Sequence, residues 1–147
     1  MEDVDYPAEK FDVILSSLPL HYIESFDVIA QHIYTWLTPG GSFVFSVEHP
    51  VFTAEGGQDW MYDTNGEKIC WTVDRYFTER KRNNIFLGEN VTQYHRTLTS
   101  YLNTLLKHGF KIREIIEPKS TPDMLKEIRE MKEELRRPMM LVISVSK

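Results

Sequence analysis

The sequence lacks several features that would place it in common functional classes. One cysteine, Cys70, excludes an internal disulfide framework and indicates a reducing compartment. No apolar run approaches the roughly 20 residues that a membrane-spanning helix needs, and the acidic start is unlike that of a targeting peptide. Acidic residues outnumber basic ones by 22 to 17, so no basic patch points to a nucleic-acid partner. We therefore predict a cytoplasmic protein without membrane or nucleic-acid partners.

Motifs for several kinds of site are missing as well. None of the seven glycines forms a G-x-G-x-x-G pattern after an apolar strand. The five histidines lack metal-ligand spacing and have no cysteine cluster beside them, so no metal site is predicted. The pair Ser16-Ser17 lacks the G-x-S-x-G context of a hydrolase nucleophile.

What is present is a strand–helix–strand pattern over residues 11–50. Phe11–Leu15 predicts a strand buried on both faces. Apolar residues then recur at helical spacing after Ser25, a candidate N-cap. Pro39-Gly40-Gly41 predicts the helix stop and a turn, and Phe43–Val47 predicts a second strand, parallel to the first with a right-handed crossover.

The rest of the chain predicts an insertion followed by two helix–strand units. Residues 51–95 form the insertion, in which Asn65-Gly66 predicts a hairpin between residues 60–63 and 68–73. Its many aromatic residues suit either a cap over an apolar substrate or a small core of the loop's own. A helix over 96–108, a strand over 110–117, a helix from Ser120 to Arg136 and a central strand over 139–145 follow.

Polar residues collect where the two parallel strands end. Ser16–Tyr22 follows the first strand, and Glu48-His49-Pro50 ends the second. Ligands of open α/β sheets bind outside these carboxyl ends. His49 is the first candidate for a general base or a substrate contact, because imidazole titrates near neutral pH. The alternative is a histidine that only orients the loop.

Five stretches carry a resemblance to a known family. FDVILSSLPLHYI followed by LTPGGSFVFSVEHP resembles the fourth strand, helix and fifth strand of a class I S-adenosylmethionine-dependent methyltransferase. VDRYFTERKR, YHRTLTSYLNTLLKHGF and IREIIEP resemble the later part of a small-molecule subgroup. The glycine-rich cofactor loop of that family is absent. The resemblance thus implies the C-terminal portion of one methyltransferase domain over residues 1–147.

The fold implied by this resemblance is α/β and partly Rossmann-like. It has a mixed sheet of about four strands, flanking helices and a long lid-like insertion. The last strand lies antiparallel inside the sheet, which gives the spatial order first, second, fourth, third.

The resemblance also implies roles for individual residues. S-adenosylmethionine would be bound by residues near its adenine and near its amino-acid end and methyl group, namely Met1, Glu2, Ser17, Leu18 and His21. The substrate would be contacted by residues of the strand ends and of the segment before the second helix, namely Tyr22, Glu48, Tyr94, His95 and Arg96. Arg96 could hold a carboxylate with two hydrogen bonds. The alternatives are that His21 only bonds nearby backbone and that residues 94–96 fix the lid by packing.

Two functions from different classes follow. The first is a methyltransferase fragment that transfers a methyl group to a small molecule and is impaired as this chain. The second is a non-catalytic interaction module, a homo-oligomer or a chain whose partner supplies the missing half and covers the exposed sheet edge. A nicotinamide-dependent Rossmann enzyme is a weaker third reading.

Overall fold

The computed structural model describes residues 5–54, 59–86, 88–128 and 131–147. Its main sheet has four strands in the spatial order β1 (Phe11–Ser17), β2 (Leu37–Glu48), β8 (Met140–Ser146) and β7 (Lys111–Ile116). β1 and β2 are parallel, whereas β8 is antiparallel to both of its neighbours. The predicted α/β class, mixed sheet and strand order are confirmed.

Two helices cover one face of this sheet. α1 (Phe26–Trp36) begins where predicted, because the Ser25 hydroxyl accepts a hydrogen bond from the Val28 N–H at 3.4 Å. α3 (Leu98–Lys107) begins two residues later than predicted, since the Thr97 side chain caps it by accepting from the Ser100 N–H at 3.1 Å. The core lies between these helices and the sheet and is built from large apolar side chains, among them Phe26, Ile29, Ile33, Phe43, Phe45, Tyr101, Leu105, Leu141 and Ile143.

The opposite face of β1 differs from the prediction. Val13 and Leu15 are 64% and 74% exposed, so the expectation that Phe11–Leu15 is buried on both faces is wrong. Within the described residues no element covers these two side chains. β1 is also the edge strand of the sheet, so no described residue covers its outer backbone groups or these apolar side chains.

The turn after α1 depends on glycine at one position. The helix ends at Trp36, before Pro39, and β2 already begins at Leu37. A Cβ atom on Gly41 would lie 2.9 Å from the Thr38 carbonyl oxygen and 3.1 Å from that of Asp12. Only glycine therefore lets β2 approach β1 this closely at its start.

The insertion contains two hairpins and a short helix. α2 (Pro50–Thr53) follows β2, and β3 (Trp60–Tyr62) pairs antiparallel with β4 (Lys68–Trp71), which confirms the predicted hairpin. A second hairpin, β5 (Lys81–Phe86) with β6 (Glu89–Tyr94), was not predicted. Its sequence, KRNNIF and ENVTQY, is mostly polar and shows no apolar alternation, so periodicity gave no sign of it.

The predicted long helix from Ser120 to Arg136 is wrong. The structure has two short helices, α4 (Pro122–Glu127) and α5 (Met131–Glu134). Ile128 ends α4 in an extended conformation, with φ −122° and ψ 102°, which no helix continues. Three apolar residues of this segment, Met124, Ile128 and Leu135, are 39–49% exposed. No helix in the described ranges is long and apolar enough to cross a membrane.

Candidate functional site

The carboxyl ends of β1 and β2 lie side by side, because Ser17 pairs with Ser46 in the parallel register. Leu18 follows with φ +62°, an uncommon conformation for a non-glycine residue. Its N–H donates to the Ser46 carbonyl oxygen at 3.1 Å and lies 3.2 Å from the Ser46 hydroxyl. Nearby, the buried Ser16 hydroxyl has no hydrogen-bond partner among the described residues. The chain thus turns sharply at this edge, where the Ser16 hydroxyl could still form a hydrogen bond.

His21 lies in the turn that follows, within a single 3-10 turn, Leu20–Tyr22. Its side chain is 2% exposed, and its Nδ1 accepts a long hydrogen bond of 3.5 Å from the Glu48 N–H. Burial, helped by the charge of Arg96, lowers the His21 pKa to about 4, so the ring is neutral. With Nδ1 as acceptor, the proton resides on Nε2, which is buried and has no partner in the described part of the chain. A buried donor without an acceptor fits a polar ligand atom at this position.

Glu48 connects the end of β2 to the second hairpin. Its Oε2 accepts a hydrogen bond of 2.9 Å from the Gln93 side-chain amide, and Gln93 is 4% exposed. Burial raises the Glu48 pKa, and the bond from Gln93 opposes this in part. Gln93 is a site residue that the sequence did not reveal.

His49 is buried and has contacts on three sides. Its Nδ1 accepts from the Val51 N–H at 3.0 Å, and its backbone N–H donates to the Met139 carbonyl oxygen at 2.8 Å. Its Nε2 lies 2.9 Å from Glu117 Oε1, a short contact that is poorly aligned as a hydrogen bond. Burial lowers the His49 pKa, and the Glu117 carboxylate opposes this in part. Because Nδ1 is an acceptor, the ring proton resides on Nε2, the nitrogen next to Glu117.

Glu117 was missed as a site residue, although the sequence contained a signal for it. It directly follows β7, which was predicted, and is 53% exposed at its side chain. β7 runs parallel to β1 and β2, so the polar residue just beyond its end lies at the same sheet edge as Glu48 and His49.

His95 and Arg96 are both engaged by protein groups. His95 Nε2 donates to the Tyr76 carbonyl oxygen at 2.7 Å, and its Nδ1 lies 2.7 Å from the Thr53 hydroxyl. Burial lowers the His95 pKa. The Arg96 guanidinium donates to the carbonyl oxygens of Ile23 and Glu24 at 2.5 and 2.6 Å. It also lies about 6 Å from the ring centres of three aromatic residues, Phe26, Tyr94 and Tyr101. These contacts join the start of α1 to the start of α3.

The structure therefore brings most predicted site residues to one sheet edge. His21, Glu48 and His49 are in or next to the ends of β1 and β2, and Tyr22 packs on the His21 ring with centroids 4.1 Å apart. Arg96 reaches this edge through Ile23, whereas His95 faces α2. Met1 and Glu2 lie outside the described residues. No cluster of three or more potential metal ligands occurs in the described ranges.

Three aromatic residues of the insertion pack on each other. Phe52 stacks on Trp71 with centroids 5.2 Å apart, and Trp60 meets Trp71 edge-on at 5.5 Å. The Arg137 guanidinium lies 4.0 Å from the Trp71 centroid and 4.9 Å from that of Phe52. For these three rings the structure favours a small core of the insertion over a cap on a substrate.

Comparisons with known proteins identify the family. A family model described as "Methyltransferase domain" matches residues 1–86, more than half of the chain. The chain belongs to the methyltransferase domain family. A proposed S-adenosylmethionine-dependent methyltransferase from Listeria monocytogenes has a similar crystal structure, with 55% identity and a TM-score of 0.93 over 99% of this chain. A Mesorhizobium loti S-adenosylmethionine-dependent methyltransferase gives 36% identity and a TM-score of 0.89, also over 99%. These findings confirm the class I S-adenosylmethionine-dependent resemblance and its Rossmann-like fold.

The relatives are longer than this chain. A Haemophilus influenzae protein is 32% identical over 144 residues, which are 97% of this chain and 56% of that protein. The methyltransferase chain covers 65% of the Listeria protein and 66% of the Mesorhizobium protein. It thus spans between half and two thirds of the length of these relatives.

Proposed function

We propose that this methyltransferase-family chain contributes to methyl transfer from S-adenosylmethionine to a small molecule in the cytoplasm. The observation that carries the proposal is a pair of buried polar atoms near the end of β1, the Ser16 hydroxyl and His21 Nε2. Neither has a hydrogen-bond partner among the described residues. Family membership favours S-adenosylmethionine as the ligand over the nicotinamide cofactor of the weakest alternative.

The residues fit this cofactor at its polar end. Ser17, Leu18 and His21 would hold it at the sharp turn after β1, where His21 Nε2 offers a hydrogen bond to an acceptor atom. When bound, S-adenosylmethionine supplies an activated methyl group. The chain's part is then to align an acceptor nucleophile with that group, which requires positioning more than covalent chemistry.

The acceptor would lie between the cofactor end and the second hairpin. Tyr22, Glu48, Tyr94, His95 and Arg96 remain the proposed contacts on this side. His49 is the proposed proton-transfer residue, together with Glu117. Since Val51 occupies His49 Nδ1 and Nε2 carries the proton, an acceptor N–H or O–H would give its proton to the Glu117 carboxylate, which His49 holds in place.

Calorimetric titration with S-adenosylhomocysteine tests the cofactor site. We expect micromolar binding, and binding that is roughly tenfold weaker for His21→Phe, because that variant removes the buried donor but keeps the ring's size. The matched control is His108→Phe, because His108 is bonded to Asp27 at 3.1 Å, away from the strand ends. A folded chain that binds nothing would contradict cofactor binding by this chain.

The alternative function is an interaction module, and the open edge and face of β1 favour it. Val13 and Leu15 expose apolar surface beside backbone groups that no described strand pairs with. We propose that a second copy of the chain covers this strand, so that the chain is a homo-oligomer, and that the 147-residue chain alone is impaired in methyl transfer.

Sedimentation velocity tests the oligomer. We expect a dimer at micromolar concentration and a monomer for Leu15→Glu, which places a charge on the exposed face of β1. Phe77→Glu is the matched control, because Phe77 is 88% exposed in the insertion. A clean monomer of the unmodified chain with robust methyl-transfer activity would contradict both the oligomer and the impairment.

A further inference from the structure

A cavity of about 450 Å³ lies next to the residues that follow β7. Four of the six methionines in the chain line it: Met124 in α4, Met131 in α5, and Met139 and Met140 at the start of β8. Its volume falls within the roughly 300–1,000 Å³ of small-molecule sites. The walls of this cavity therefore consist largely of flexible thioether side chains.

Methionine walls suit apolar and aromatic ligands of variable shape. The side chain is unbranched, and its polarisable thioether makes favourable contacts with aromatic rings. The Ser120 hydroxyl, also in the wall, lies 3.7 Å from the Met131 sulfur and is thus engaged within the wall. The interior of the cavity therefore presents mainly apolar surface.

The charged residues at the cavity favour an anion. Glu134 contributes to the wall, but its carboxylate is paired with the Arg137 guanidinium at 2.8 and 3.4 Å. Lys119, in contrast, forms no ion pair with any residue that the structure describes. Among the described residues that line this cavity, the one charge without an ion-pair partner is therefore positive.

The cavity is joined to the proposed reaction site through His49. The His49 backbone N–H donates to the carbonyl oxygen of Met139, a wall residue, at 2.8 Å. Its Nε2 lies 2.9 Å from Glu117, which directly precedes the wall residue Pro118. One buried histidine thus contacts both chain segments that form this side of the cavity.

We propose that the methionine-lined cavity binds a small aromatic or aliphatic carboxylate. The thioethers contact its apolar body, and the Lys119 ammonium pairs with its carboxylate. None of the proposed acceptor contacts lines this cavity, so the binding of this ligand does not rest on the proposed function.

Methionine-methyl NMR with 2-naphthoate as the probe tests the binding directly. The methyl signals of Met124, Met131, Met139 and Met140 should shift together during the titration. Met61, in β3 and 48% exposed, is the internal control and should not shift. Shifts centred on Met61, or no shifts up to millimolar probe, would overturn the proposal.

Variants separate the contributions of charge and apolar contact. For Lys119→Gln we expect about threefold weaker binding of 2-naphthoate and unchanged binding of neutral 2-naphthylmethanol. For Met131→Glu we expect the affinity for both probes to fall by roughly tenfold or more. Phe77→Glu, at an exposed ring of the insertion, should change neither, and a loss there would place the probe at Phe77 and overturn the proposal. Methyl transfer is not measured, so failure of the proposed function would leave these results unaffected.

Discussion

Lowering the pH from 6.5 to about 4 is expected to remove about 3 kcal/mol from the free energy of unfolding through His21 alone. Burial and the charge of Arg96 lower its folded pKa from 6.5 to about 4. Between these values the unfolded chain binds a proton at His21 that the folded chain excludes, so stability falls as pH falls. The loss begins near pH 6.5, is complete near pH 4, and corresponds to about 1.4 kcal/mol per pH unit.

Other groups change with pH over the same range, so the measurement must be differential. The pKa values of His49 and His95 are also lowered by burial and add to the loss. The raised Glu48 pKa acts in the opposite sense, because the folded state favours its protonated form. Urea unfolding at several pH values should show a smaller slope for His21→Phe than for the unmodified protein. Equal slopes for the two proteins would contradict a buried neutral His21.

Phe45→Ala is expected to lower the free energy of unfolding by about 3–5 kcal/mol. Phe45 is fully buried in β2. Its ring stacks on Phe43 with centroids 4.8 Å apart and contacts the rings of Phe26 at 5.7 Å and Tyr101 at 6.4 Å. The substitution would leave a cavity where β2, α1 and α3 meet, and these elements cannot all close on it.

Urea denaturation measures this loss, and Phe77→Ala is the matched control. Phe77 is 88% exposed, so its truncation should change the free energy of unfolding by less than about 0.5 kcal/mol. A loss of 1 kcal/mol or less for Phe45→Ala would show that the two helices do not pack on the sheet at this point.

Short-range sequence patterns predicted the helices and strands that depend on residues close together in the chain. The apolar run of β8 gave a central strand, and Ser25 with its helical period gave α1. The helix break at Ile128 was not predicted, because the helical spacing of apolar residues continues across it. The exposure of Val13 and Leu15 was not predicted. An apolar run indicates that a strand face can be buried, but it does not show whether another element packs on that face.

The contacts of the site were harder to predict because they join distant parts of the chain. Glu48 bonds to Gln93, 45 positions away, and His49 contacts Glu117 across the sheet edge. Such partners depend on which strands become neighbours and on where an unpredicted hairpin lies. The position of His49 at a strand end identified it as a candidate, but its neighbours follow only from the fold: the Val51 N–H bonds to Nδ1, and Glu117 lies next to Nε2.

The central position of β8 has a consequence for biosynthesis. β8 is made after every other described element, yet it separates β2 from β7 and bonds to both. During translation, the edges of β2 and β7 that pair with β8 therefore have no partner strand until residues 140–146 have emerged from the ribosome. Nascent chains stalled before residue 140 should hold β1, α1 and β2 without a closed sheet, and would be the forms most in need of chaperones.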